Sequence, residues 1–250
     1  MRILLVAFGL LALVAASRAE PTDITVRVLA RDAKFIGTSM GGVRVTISDV
    51  ETGEVLAEGL TEGETGSTEQ IMKTPRGRGQ PLSTKGAAAF RATVDLDRPR
   101  RVEVSAEGPL EYPGSANRVS ATQWIVPGRN LTGGDGWVLE MPGLVVNLHD
   151  LPGTITAGEA LDVRVTVEMM CGCPLTPDGL WDAGDFTVRA EAVRNRTVAA
   201  ETVLDYAGEE SEFAGRLLLE EPGIWELRVW AWQEATGNTG VAERRIEVSK

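Results

Sequence analysis

Apolar and polar residues alternate along most of the chain, and turn residues separate the alternating runs. In "ITVRVLA", Ile24, Val26 and Val28 share one face, while Arg27 lies on the other. Six further runs of this kind follow before residue 143, and seven more lie beyond it. A period of two is typical of half-buried β-strands. The pattern predicts an all-β protein without long helices.

The grouping of these runs predicts two β-sandwich domains in tandem. We expect an N-terminal domain over residues 20–143 and a C-terminal domain over residues 144–250. Seven short strands with frequent turn signals are typical of an immunoglobulin-like sandwich. Residues 61–86 show no clear periodicity, and a segment of that length inside a compact domain is either functional or mobile. We interpret it as a mobile loop of the first domain.

The first nineteen residues have the pattern of a signal peptide. Arg2 precedes an apolar run over residues 3–16, and Ser17-Arg18-Ala19 fits the small-x-small cleavage rule. Cleavage there removes the apolar run, and no other segment is long enough to span a bilayer as a helix. We therefore expect a periplasmic or secreted protein with no membrane span after cleavage.

Charge narrows the range of partners. The chain has a net charge of −11, and residues 144–250 carry 19 acidic against 9 basic side chains. Because such a surface repels phosphate backbones, nucleic acid is excluded as a partner. A basic region on a periplasmic or secreted protein fits this surface, although solubility alone is the simpler interpretation.

Two segments carry a family resemblance. "GGVRVTISDVETGEVLAEGLT" together with "AAAFRATVDLDRPRRVEVSAEG" resembles the transthyretin-like, carboxypeptidase-regulatory type of β-sandwich. "GIWELRVWAWQEATGNTGVAERRIEV" resembles the closing hairpin of bacterial immunoglobulin-like domains. The resemblance implies architecture and not activity, because both fold types carry many functions.

Catalytic motifs are missing from the sequence. His149 is the only histidine, and it belongs to no nucleophile motif. The sequence contains no phosphate-binding glycine loop and no metalloprotease motif. We therefore predict that the protein is not an enzyme, and we interpret His149 as a turn residue remote from the cysteines.

The strongest candidates for a reactive or metal-binding site lie in "EMMCGCPLTPDGLW". Cys171 and Cys173 are the only cysteines, and thiolate or thioether sulfurs select soft ions such as Cu(I). In a copper site the two cysteines are the main ligands and Met170 is an auxiliary one, while Met40, Met72 and Met141 are possible contributors from the first domain.

Two other interpretations of the cysteines stay open. In an oxidising compartment Cys171 and Cys173 form a small disulfide, and the protein is then a structural or protein-interaction module. Alternatively the pair takes part in thiol–disulfide exchange, although neighbouring carboxylates such as Glu168 disfavour the thiolate.

Strand directions predict where the cysteine loop lies. The second strand of the C-terminal domain ends at Met169, close to the entry from the first domain, and the closing loop over residues 233–240 shares that end. We therefore expect an interdomain cleft, which is a common place for ligands. Its candidate binding residues are Trp181, Asp182, Asp185, Trp230 and Trp232. Trp230 and Trp232 share the outward face of their strand, where they either stack on a sugar or pack against the first domain.

Overall fold

The computed structural model describes residues 18–250, so nearly all of the predicted signal peptide lies outside the described residues. Sixteen strands make up most of this range. They are β1 Glu20–Ala30, β2 Arg44–Asp49, β3 Val55–Leu60, β4 Phe90–Leu96, β5 Arg100–Gly108, β6 Asn117–Ile125, β7 Trp137–Met141, β8 Leu144–Leu148, β9 Thr154–Thr156, β10 Ala160–Met169, β11 Phe186–Arg194, β12 Thr197–Val203, β13 Asp205–Tyr206, β14 Glu212–Leu218, β15 Gly223–Gln233 and β16 Thr239–Ser249. The predicted all-β fold is confirmed.

Strands β1 to β7 form the N-terminal sandwich. One sheet has the order β4-β1-β7 and the other has the order β3-β2-β5-β6. Strand β1 pairs with β4 in antiparallel and with β7 in parallel orientation. The alternation seen in the sequence directs Val26 and Val28 into the core, where both are fully buried. All seven strands predicted for this part of the chain are present.

Strands β8 to β16 form the C-terminal sandwich. Its sheets have the orders β13-β14-β10-β8 and β12-β11-β15-β16-β9. Two short strands, β9 and β13, were not predicted, because two or three residues are too few to show alternation. Strand β13 also differs from β12 in its sheet, since the chain crosses between the sheets at Leu204, which is buried.

Residues 61–86 contact the N-terminal sandwich at several points, and their mobility stays a prediction. A five-residue π-helical turn occupies Glu69–Lys73, and Ile71 and Leu82 pack against the buried cluster of Phe35, Ala87 and Ala88. The backbone nitrogens of Leu82 and Ser83 donate to the Asp135 carboxylate at 2.8 and 2.7 Å. These anchors lie too far apart in sequence to produce a periodic pattern.

Short 3₁₀ turns at Thr38–Met40, Pro113–Ser115 and Ala183–Asp185 complete the described fold. A single buried core runs through both sandwiches, and Met141 and Leu144 are fully buried on either side of the junction. The domain boundary at residue 143 therefore stays a prediction. Within residues 18–250, none of the helices has the length and apolar character needed to cross a membrane.

Candidate functional site at the junction of the sandwiches

The cysteine pair occupies a tight turn at the end of β10. The Gly172 backbone nitrogen donates to the Met169 carbonyl at 2.8 Å, and the Met169 nitrogen donates to the Cys173 carbonyl at 3.1 Å. This turn brings the Sγ atoms of Cys171 and Cys173 to disulfide-bonding distance. Both side chains are buried, with exposures of 1% and 4%.

Gly172 is the point where this turn meets the N-terminal sandwich. Its φ angle is +72°, a left-handed conformation that glycine adopts without steric cost. A Cβ atom at this position would overlap the Sδ atom of Met40. Met40 ends the 3₁₀ turn after β1 and is itself buried. The cysteine turn is therefore packed directly against a sulfur of the N-terminal sandwich.

Two methionines of β10 and its turn are also buried here. Alternation predicted that Met169 points inward and that Met170 is the freer of the two, but both are fully buried. The Met170 Sδ atom lies 3.4 Å from the position that a Cβ on Gly143 would take. Burial of Met170 follows from the junction itself, which covers the face of the turn that an isolated domain would expose.

Trp181 connects the cysteine loop to the turn that follows β1. Its indole Nε1 donates to the Asp32 carbonyl oxygen at 2.8 Å. The Asp32 carboxylate accepts a second bond, from Gln233 Nε2 at 3.0 Å. Asp32 has a φ of +56°, which aspartate tolerates better than most residues. Asp32 was not a candidate in the sequence, because a single aspartate in a turn carries no distinctive pattern.

Asn238 joins three segments at the same junction. Its Oδ1 accepts from the Gly143 nitrogen at 3.0 Å, and its Nδ2 donates to the Arg31 carbonyl at 3.1 Å and to Gln233 Oε1 at 3.2 Å. The side chain is completely buried. The expectation that the closing loop reaches the cysteine end therefore agrees with these contacts.

The expected interdomain cleft is absent around the cysteines. Met40, Met170, Cys171, Cys173 and Trp181 are all at most 8% exposed, so they form a filled contact and not an open groove. Methionine side chains are flexible enough to fill irregular space in such a contact.

Asp182 and Asp185 lie in the chain segment that directly follows Trp181. Asp182 precedes the 3₁₀ turn Ala183–Asp185, and its Oδ1 accepts from the Gly184 nitrogen at 2.9 Å. Asp185 is exposed. Among the residues that the structure describes, no group of three or more histidine, cysteine, aspartate or glutamate side chains could hold a metal ion. A ligand for either aspartate stays a prediction.

Glu168 is the carboxylate of β10 nearest in sequence to the cysteine turn. Burial raises the pKa of Glu168 above its ordinary value. The pKa of Tyr112 is also raised, mainly by burial and further by the charge of Glu168. An ionised Glu168 is thus poorly solvated beside the junction.

Trp230 and Trp232 lie on the outer face of β15, as the alternation predicted. Trp230 Nε1 donates to Glu191 Oε1 at 2.6 Å, and the Arg189 guanidinium lies 6.0 Å from the Trp230 ring centre. These contacts belong to the same sheet and not to the N-terminal sandwich. Trp232 is 38% exposed. Carbohydrate stacking by this pair stays a prediction.

His149 follows β8 at the end of the strand that lies away from the cysteine turn. Strand pairing places Leu148 opposite Val165 and Leu144 opposite Met169. His149 Nε2 lies 2.8 Å from Thr166 Oγ1 and 3.1 Å from Glu212 Oε1. Its contacts are therefore made with β10 and β14, apart from the cysteine pair.

No protein-family model and no curated protein matches this chain. Its structural neighbours are β-sandwich proteins of the immunoglobulin-like and fibronectin-III-like kinds. The fibronectin(III)-like modules of CbhA from Clostridium thermocellum are 11% identical, with 82% of this chain and 77% of theirs covered and a TM-score of 0.28. A chimeric titin Z1Z2 is 13% identical, with 94% and 99% covered and a TM-score of 0.25. The tip fimbrial protein Mfa3 from Porphyromonas gingivalis is 11% identical, with 90% and 81% covered and a TM-score of 0.30. Similarity at this level carries no argument about function.

Proposed function

We propose that this chain is an exported, non-catalytic binding or accessory module whose Cys171–Cys173 disulfide stiffens the contact between its two sandwiches. One observation carries the proposal. Gly172, which separates the two cysteines, packs on the Met40 sulfur, and the Sγ atoms of those cysteines lie at bonding distance. A bond across one residue closes almost no loop, so its contribution to global stability is small. Its effect is local, because it fixes the turn that touches the N-terminal sandwich.

Intact mass spectrometry on protein recovered from an oxidising secretory compartment tests the bond. A denatured mass two hydrogens below that of the reduced chain supports the proposal, and two free thiols contradict it. Hydrogen exchange then tests the stiffening. In a Cys171→Ser, Cys173→Ser variant the Arg31 amide, which donates to the Met141 carbonyl beside the junction, should exchange faster than in the wild type. The Ile47 amide in the interior of the β3-β2-β5-β6 sheet is the control.

A second candidate function is Cu(I) binding by the reduced pair. The specific observation in its favour is that two thioether sulfurs lie at the same junction, Met40 against Gly172 and Met170 against Gly143. Cys171 and Cys173 would be the primary ligands, Met170 and Met40 would complete a soft-sulfur set, and Trp181 would keep water away.

Native mass spectrometry of the reduced protein titrated with Cu(I) tests this candidate. Binding of one copper that is lost in the Cys171→Ser, Cys173→Ser variant and weakened in Met40→Leu supports it. Met72→Leu is the control, because Met72 belongs to the turn Glu69–Lys73 and not to the junction. No copper uptake by the reduced protein overturns the candidate.

Thiol–disulfide exchange is the weakest of the three functions. An attacking thiolate must reach a sulfur atom along the S–S axis. Since Cys171 and Cys173 are almost fully buried, a folded partner protein has no access to them unless the junction opens.

A further inference from the structure

A pocket of about 510 Å³ lies on the outer face of the β4-β1-β7 sheet. Its lining combines two arginines, three threonines and one carboxylate with two apolar residues: Arg27, Arg91, Thr25, Thr93, Thr132, Asp23, Ile24 and Ala92. Strand pairing sets Thr25 opposite Arg91, and Arg27 follows two residues further along β1 on the same face. The register therefore brings both guanidinium groups to one side of the pocket.

Within the described part of the chain, Arg27 makes no direct contact with a carboxylate. It is only 8% exposed, and its Nη1 donates to the Asp135 carbonyl oxygen at 2.8 Å. Its Nε is buried with no hydrogen-bond partner. Within residues 18–250, Arg27 forms no salt bridge, and the Asp135 carboxylate, whose charge acts on Arg27, accepts hydrogen bonds from the backbone of the 61–86 loop. Burial of a charge without a direct ion pair is costly, so such a group usually has a counter-ion in contact with it.

Arg91 adds a second positive charge to the same pocket. Its side chain is exposed, and the described part of the chain provides no ion pair for it. Burial lowers the pKa of Arg27 and repulsion from Arg91 lowers it further, while attraction to the Asp135 carboxylate offsets part of this shift. At the other end of the pocket, the Asp23 carboxylate accepts a hydrogen bond from Thr93 at 2.6 Å.

We propose that this pocket binds the oxyanion group of a small hydroxylated ligand, held by Arg27 and Arg91. A guanidinium presents parallel donors that match the oxygens of a carboxylate, phosphate or sulfate. The hydroxyls of Thr25 and Thr132 are further donors, and Asp23 accepts from a ligand hydroxyl. The pocket belongs to the N-terminal sheet and does not include the cysteine turn, so this proposal stands independently of the disulfide.

Thermal denaturation and calorimetric titration of the purified protein test the pocket. Sodium glucuronate, sodium phosphate and sodium sulfate are compared with sodium chloride at matched ionic strength. We expect at least one oxyanion to raise Tm progressively with its concentration, because a ligand that binds only the folded state stabilises it. The anion with the lowest Kd identifies the group that the pocket recognises.

Two variants separate a site from general charge effects. Arg91→Gln should raise the Kd by about tenfold or more, since it removes one of the two guanidinium groups. Arg101→Gln removes another exposed arginine, from β5 of the other sheet, and should leave the Kd unchanged. Arg27→Lys keeps the charge and removes the forked geometry, so it should also weaken binding. Stabilisation by chloride equal to that by every oxyanion overturns the proposal, as does an equal loss of binding in Arg91→Gln and Arg101→Gln.

Discussion

The indole nitrogen of Trp181 donates a hydrogen bond to the carbonyl oxygen of Asp32, 149 residues earlier in the chain, at 2.8 Å. This bond joins the cysteine loop of the C-terminal sandwich to the turn that leaves β1. The Asp32 carboxylate also accepts a hydrogen bond from the Gln233 side chain. One turn of the N-terminal sandwich is therefore bonded to two segments of the C-terminal sandwich. The junction is therefore specified by polar contacts as well as by apolar burial.

Loss of the Trp181 hydrogen bond should destabilise the protein. Trp181→Phe keeps most of the buried ring and removes the donor, which leaves the Asp32 carbonyl unsatisfied. We expect a decrease of roughly 1–2 kcal/mol in the free energy of unfolding, measured by urea denaturation. Trp124→Phe is the matched control, because Trp124 is 60% exposed. Equal stability of the two variants would show that the bond contributes nothing.

Gly172 should tolerate no side chain. Gly172→Ala adds a Cβ that overlaps the Met40 sulfur, and it places alanine at a left-handed φ of +72°. Strain and overpacking together predict a loss of roughly 2–4 kcal/mol, measured as the shift in the denaturation midpoint. Gly133→Ala is the control, since a Cβ there meets nothing within 4 Å and its φ is not left-handed.

A second substitution separates the two contributions at Gly172. Met40→Ala in the Gly172→Ala background removes the overlap and retains the backbone strain. We expect the double variant to lose less stability than the sum of the losses in the two single variants. Additive losses would mean that the Met40 contact is irrelevant to the effect.

The alternation of apolar and polar residues was sufficient to predict the strands but not the junction. The core face of β15, with Trp225, Leu227 and Val229, follows directly from a period of two. The burial of Met170 and the polar role of Asp32 could not be predicted this way, because both depend on how one sandwich meets the other. The alternation places Arg27 on the outward face of β1, yet Arg27 is buried in the folded protein. Contacts between segments distant in sequence have no local signature.

Asn238 should be one of the most sensitive polar positions. Asn238→Ala leaves the Gly143 nitrogen and the Arg31 carbonyl without their partners in a site closed to water. We expect a loss of roughly 2–4 kcal/mol in the free energy of unfolding. Asn147→Ala, at an exposed position on β8, should change stability by less than about 0.5 kcal/mol. A small effect at both positions would contradict the interpretation of Asn238 as the polar centre of the junction.

Glu168 should make stability depend on pH in an unusual direction for a carboxylate. Because burial raises the pKa of Glu168 in the folded protein, the folded state holds its proton more tightly than the unfolded state does. The contribution of Glu168 to stability is therefore greatest below the unfolded pKa and is lost as the pH rises through the folded pKa.

Glu168→Gln removes this dependence, since the amide remains neutral. We expect the variant to have a higher denaturation midpoint than the wild type at pH 7, and the difference should shrink as the pH falls to 4. The measurement is a series of urea denaturations between pH 4 and pH 8, with Glu107→Gln as the control at an exposed position. A difference that grows toward low pH would have the wrong sign and would mean that the charged form of Glu168 is stabilised by the fold.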